Sequence, residues 1–107
     1  MKVEFIAPDM SYFDSYWEMF DTIAREGKYL AQMQAFPKDS TKMFLQHCID
    51  EQVPYLFAID RADDKLVGWC DAQMCGAGIC YLGVGLLAEY RECGIGSRLL
   101  SEVVRRR

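Results

Sequence analysis

The chain has little of several things, and each scarcity excludes a class. No apolar run approaches the ~20 residues of a membrane span, so no transmembrane helix is expected. The opening Met1-Lys2-Val3-Glu4-Phe5 lacks a long apolar core ahead of a cleavage site, so it does not read as a secretory signal. Positive charge is in deficit. Twelve Lys plus Arg stand against sixteen Asp plus Glu, a formal net charge of −4, whereas nucleic-acid binders favour a basic surface. There is a single histidine, His47, placed beside the apolar stripe of a helix and read as a partly exposed helical residue.

Cysteine is not scarce, but its pattern is unhelpful to disulfides and metals. The five residues Cys48, Cys70, Cys75, Cys80 and Cys93 are an odd number. Without a signal peptide the expected compartment is the cytoplasm, where disulfides are rare. Cys70, Cys75 and Cys80 recur every five residues, not in the tight C-x2-C pairs of structural zinc, and His47 lies far from them. Buried or half-buried thiols are the expectation, with no metal. What remains is ample. A chain of 107 residues, 51% hydrophobic and 26% charged, suits one folded domain and argues against disorder.

The hydrophobic pattern gives the order β-α-α-β-β-β-α. Val3 to Ile6 reads as a strand. Asp9 or Ser11 can cap the helix that follows, in which Phe13, Tyr16, Trp17, Phe20, Ile23 and Ala24 share a face up to Gly27. After a link over 28–39, Ser40 or Thr41 can cap a second helix buried through Phe44, Leu45, Cys48 and Ile49. Pro54 stops it. Tyr55 to Ile59 is an apolar run expected to be covered on both faces. Asp60 to Asp64 is a turn, and Lys65 to Gln73 returns as the other arm of a hairpin. Ile79 to Leu87 is a further strand, in which Gly83 and Gly85 mark a bulge or a close backbone approach. Gly94 to Arg107 is a last helix with Ile95, Leu99, Leu100 and Val103 on one face.

The junction between this last strand and helix carries the functional information. Glycines at a helix start let an anion approach unpaired N–H groups at the positive end of the macrodipole. Ser97 adds a hydroxyl. The P-loop is excluded, since it needs Lys followed by Ser or Thr after its second Gly, and Gly96 is followed by Ser97 and Arg98. The dinucleotide fingerprint is excluded because it needs three spaced glycines in a parallel βαβ unit.

Arg91-Glu92-Cys93-Gly94-Ile95-Gly96 resembles the signature (Arg/Gln)-x-x-Gly-x-(Gly/Ala) of the GNAT superfamily of N-acetyltransferases. Tyr90 before it, Leu86-Leu87 ending the strand, Leu99-Leu100 after it and the order of elements extend the likeness over essentially all of residues 1–107, read as one partial domain. The resemblance implies a mixed, mainly antiparallel sheet with helices on both faces. It implies acetyl-CoA as cosubstrate and transfer of acetyl to a primary amine by direct attack on the thioester. By the same likeness the loop of Arg91, Glu92, Cys93, Gly94, Ile95, Gly96 and Ser97 would hold the pyrophosphate. Val84 and Leu86 would pair with the pantetheine arm, and the Leu86 amide would face the oxyanion. Glu92 departs from the small or cationic residues common there and is expected to point outward.

The family domain normally continues beyond this helix, so the chain reads as its first two-thirds, lacking the part that usually supplies the general acid. The alternative is therefore a non-catalytic CoA-binding or interaction module. Asp71 and Glu89 are the candidate bases. Glu26, Tyr29 and Phe36 are acceptor-side candidates. With no following strand, Ile79 to Leu87 would be a long, nearly uncharged edge, which predicts a homodimer with residues Ile79 to Val104 at or near the interface.

Overall fold

Among the described residues, four antiparallel strands in sequential order carry three helices, which is the expected mixed α/β architecture. The computed structural model describes residues 2–27, 37–76 and 78–106. The strands are β1 (Val3–Ile6), β2 (Tyr55–Asp60), β3 (Lys65–Cys75) and β4 (Gly78–Leu86). The helices are α1 (Phe13–Arg25), α2 (Lys38–Asp50) and α3 (Ile95–Arg106). Tyr29 and Phe36 lie outside the described residues. Among the described residues no helix is long and apolar enough to cross a membrane.

The centre of the sheet follows from a strand without alternation. Every residue of β2 is buried, as a run apolar on both faces requires. Burying Leu56, Phe57 and Ile59 contributes on the order of 1.5–3 kcal/mol each. On one face Phe57 and Trp69 are cross-strand partners, and α1 lies over them. Tyr16 stacks on Phe57 at 5.3 Å and Phe20 tilts against Trp69 at 5.0 Å. The Tyr16 and Tyr55 hydroxyls meet at 2.7 Å, which satisfies two polar groups beneath the helix. The other face takes α3 through Ile95, Leu99 and Val103.

Two bulges shape the sheet. Ala58 pairs with Gly68 and Ile59 with Leu66, so Val67 is the extra residue. The Leu66 N–H finds the Ser15 hydroxyl at 3.0 Å instead, which ties α1 to the bulge. The second shift falls between Gln73 and Met74.

Helix α2 corrects two expectations. Its N-cap is Pro37, without a side-chain cap; Ser40 and Thr41 lie inside the helix, and the Thr41 hydroxyl donates back to the Pro37 carbonyl at 3.1 Å. The buried stripe is Leu45 and Cys48 with Ile49 partly covered, while Phe44 is 48% exposed. At 3.6 residues per turn Phe44 points about a quarter turn away from that group.

Gly85 has the role that a strand glycine signals. It is the cross-strand partner of Trp69, and a Cβ there would stand 2.2 Å from Trp69 Cζ3. The indole also packs against the ring of Phe20. Gly85→Ala is expected to destabilise the fold by about 2 kcal/mol or more, as overpacking does. A urea midpoint equal to wild type would show that Trp69 has room to move.

Candidate functional site

The end of β4 meets the start of α3 through a short, twisted loop. A single 3-10 turn at Ala88–Tyr90 leads to Arg91, and Glu92 and Gly94 then take positive φ of 62° and 83°. Alternating handedness of this kind folds N–H groups into a concavity suited to an anion. The Arg98 N–H bonds the Gly94 carbonyl at 3.2 Å, the first turn of α3. Gly94 thus stands at the N-cap, where it has no side-chain oxygen to occupy the first N–H groups of the helix. A Cβ on Gly94 would meet nothing within 4 Å, so the cradle opens to solvent. Glu92 is exposed, as is Ser97. Gly96 faces Leu86, whose Cδ1 would be 3.6 Å from an added Cβ.

Beside this cradle runs the outer edge of β4, which no other strand among the described residues pairs with. Which groups line that edge follows from the register. The Leu87 N–H bonds the Val67 carbonyl at 2.9 Å, so residues two and four earlier, Gly85 and Gly83, also turn their backbone groups toward β3. Leu82, Val84 and Leu86 turn theirs outward. The two residues expected to meet a pantetheine chain therefore present outward N–H groups that end at the anion cradle.

The side chains of Tyr90, Cys93 and Arg91 fix this junction. The Tyr90 hydroxyl donates to Asp60 Oδ2 at 2.6 Å, anchoring the 3-10 turn to the end of β2. That bond, with the Ala62 amide on the other oxygen, holds the Asp60 carboxyl below its ordinary range and pushes the Tyr90 phenol up to about 12. The Cys93 thiol donates to the Tyr90 carbonyl at 2.9 Å. Arg91 turns away from the cradle. Its Nε donates to the Leu86 carbonyl at 2.9 Å, and its two terminal nitrogens reach both oxygens of Glu26 at 2.8 and 2.7 Å. The side chains of both are largely covered.

The remaining candidates divide. Glu26, read from sequence as an acceptor-side residue, pairs with Arg91; sixty-five positions separate them, and no local pattern links the two. Glu89 is exposed on the 3-10 turn next to the loop. Asp71 is 5% exposed and lies across from Gly83, three residues along β4 from Leu86 or roughly 10 Å at strand rise. It accepts from Trp69 Nε1 at 3.1 Å and Gln73 Nε2 at 2.6 Å. Burial raises its pKa, and those two bonds offset part of the rise. The loop and the β4 edge are thus brought together, and Asp71 stands apart from them. Two described thiols, Cys48 and Cys70, are buried as expected, while Cys93 is exposed.

Comparison with known proteins agrees with this geometry. A family model described as the acetyltransferase (GNAT) family matches residues 11–106. The fold is similar to that of a phosphinothricin acetyltransferase from Sinorhizobium meliloti, solved in complex with AcCoA, with a TM-score of 0.84 at 20% identity over 99% of this chain and 60% of that one. It is also similar to a ribosomal-protein-alanine N-acetyltransferase from Brucella melitensis, with a TM-score of 0.78 at 14% identity over 95% of this chain and 65% of that one. A third likeness is to yncA from Salmonella typhimurium, solved with its cofactor acetyl-CoA, with a TM-score of 0.79 at 10% identity over 99% of this chain and 63% of that one. The chain thus spans under two-thirds of the length of these structures. No curated protein matches it in sequence.

The perturbed carboxylates give stability a pH signature. Between the ordinary value of 3.8 and its own raised value, folded Asp71 holds more proton than the unfolded chain does. Its contribution therefore falls as pH rises through that window and is unfavourable above it. Asp60, with a lowered pKa, acts in the opposite sense and stabilises above 3.8. Asp71→Asn is expected to gain on wild type as pH rises from about 4, with the gap constant once Asp71 is fully ionised. Urea midpoints across pH check this, and parallel profiles for the two proteins would refute it.

Proposed function

Because the chain belongs to the acetyltransferase (GNAT) family, we propose that it binds acetyl-CoA at the junction of β4 and α3 and serves transfer of the acetyl group to a primary amine. The observation that carries this reading is the glycine-capped start of α3, set directly against outward N–H groups of a strand edge. A pyrophosphate is the guest such a cradle fits, by its backbone amides and the helix dipole. The amides of Glu92, Cys93, Gly94, Ile95, Gly96 and Ser97 would hold it. The N–H groups of Val84 and Leu86 would take carbonyls of the extended arm.

The chemistry asked of the protein is modest. The amine nitrogen attacks the thioester carbon, the C–S bond breaks, the amine gives up a proton and the departing thiolate gains one. The Leu86 N–H would receive the negative charge on the carbonyl oxygen, a task for which a fixed backbone donor suits. Glu89 and Asp71 are the carboxylates offered as base. Asp71 has the pKa in its favour and its distance along the strand against it. Residues 1–107 act in this reading as one partial domain, and the free thiols fit a cytoplasmic setting.

The free edge of β4 supports a second part of the proposal, a homodimer paired by two-fold symmetry along that strand, with Ile79 to Val104 at or near the interface. Acetyl-CoA and a second copy would then compete for the same donors. Light scattering over a dilution series is expected to show a species heavier than 12.3 kDa that acetyl-CoA converts toward the monomer. A stable 12.3 kDa species at micromolar concentration without ligand would end the dimer proposal.

Ser97→Asp tests the cofactor site with opposed signs. A carboxylate in the first turn of α3 stabilises the helix by about 0.3–1 kcal/mol and repels a pyrophosphate. The expected result is an unchanged or higher melting temperature with acetyl-CoA affinity at least tenfold weaker by calorimetry. Absence of any heat with wild type would sink the binding claim, and binding without turnover on a panel of amines would favour the non-catalytic module.

A further inference from the structure

Glu26 occupies a position that its own helix disfavours. It is the C-cap of α1, followed by Gly27 at φ 70°, whose N–H closes the helix on the Ala24 carbonyl at 3.0 Å. A carboxylate at this end opposes the macrodipole. The compensation is Arg91, reached by both carboxylate oxygens. A two-point grip fixes the plane of the guanidinium, as a single contact or a lysine cannot. With that plane fixed, Nε is aimed at the Leu86 carbonyl.

That third contact changes what the β4 edge offers. A bare edge residue presents a donor and an acceptor side by side. At Leu86 the acceptor is filled from within the molecule, and the N–H remains outward. A strand partner needs both groups at such a residue; a ligand carbonyl needs the donor alone. An uncovered Leu86 carbonyl would in addition set its oxygen against the oxygen of the ligand.

We propose that Glu26 is a positioning residue which, through Arg91, fills the Leu86 carbonyl and so makes this point of the edge selective for a carbonyl-bearing ligand. It rests on the acetyl-CoA reading above and adds to it a specificity for the thioester carbonyl over the rest of the molecule. It also confines any pairing with a second copy to the Leu82 and Val84 side of the edge.

The test compares acetyl-CoA with S-ethyl-CoA, which keeps the pyrophosphate and pantetheine but has a methylene in place of the thioester carbonyl. Calorimetry on the 107-residue chain gives the ratio of the two affinities. Wild type is expected to prefer acetyl-CoA about tenfold or more, the worth of one well-placed hydrogen bond at ~1.4 kcal/mol per decade. In Glu26→Gln, which is nearly isosteric, and in Arg91→Lys, which keeps the charge but loses the fork, the preference is expected to collapse toward unity while S-ethyl-CoA still binds. A merely structural Glu26 would instead lower the melting temperature and leave the ratio untouched, and that result overturns the inference alone. Arg25→Ala, which breaks the neighbouring Arg25–Asp21 pair on the same helix, supplies the matched control and should keep the wild-type ratio. Failure of wild type to bind either ligand overturns the acetyl-CoA reading and this inference with it.

Discussion

The guanidinium of Arg91 is the point where the end of β4, the loop from β4 to α3 and the C-terminus of α1 are held to one another. It belongs to the loop, donates to the strand and pairs with the helix. Each member would be costly alone. Glu26 would face the negative end of its helix, and the Leu86 carbonyl would sit at a largely covered strand end without a donor. Removing one partner of a covered ion pair leaves the other charge uncompensated, so the three groups stand or fall together. The turn before it is tied by Tyr90 to Asp60 at the end of β2. These two adjacent anchors fix where the residues from Glu92 to Gly94 begin, α3 fixes where they end, and Glu92 holds a positive φ of 62° between them.

Strand β4 is itself located by contacts that leave no room for a side chain. Trp69 covers Gly85 on the α1 face. On the α3 face Leu86 covers Gly68, where a Cβ would stand 2.4 Å from Leu86 Cδ2. Adjacent pairs of the β3–β4 ladder thus lock from opposite sides, and a shift by one residue would drive Leu86 and the indole into backbone. The same lock decides which amides face outward. The direction of the Leu86 N–H, on which any chemistry at the edge depends, is set by the packing of an indole on the opposite face.

Local pattern made much of this legible in sequence. The alternation-free run at Tyr55–Ile59, the glycine-bearing junction at Gly94 and Gly96, and the stripe of Ile95, Leu99 and Val103 each report a short-range rule, and each appears where the pattern put it. What stayed hidden was of two kinds. Phe44 is apolar and next to Leu45, but one residue is about 100° of helix and carries it outside the stripe of Leu45, Cys48 and Ile49, and Pro37 sets the helix start three residues ahead of Ser40. The pairing of Glu26 with Arg91 and of Tyr90 with Asp60 joins residues brought close only by the sheet. Their types gave no sign of a partner, since a surface Glu at a helix end and a Tyr before a loop are ordinary. Gly85 lay between the two cases: a strand glycine announced a close approach, and only the ladder register identified Trp69 as the group approaching.

A protein with a net charge of −4 would be an unexpected host for the polyanion proposed above, and the arrangement of the site explains why the deficit of positive charge does not forbid it. The two arginines nearest the cradle are engaged elsewhere, Arg91 with Glu26 and Arg98 over the ring of Phe5 at 5.1 Å. Glu92 within the loop and Glu89 before it add acid. The attraction must then come from backbone N–H groups and the aligned peptides of α3, which act within the first turn and fall off quickly beyond it. Such a field leaves distant anions to the repulsion of the whole surface and favours only one that reaches the loop. Net charge thus excluded a broad nucleic-acid surface in the sequence without bearing on a compact phosphate site, because the two draw on different sources of potential.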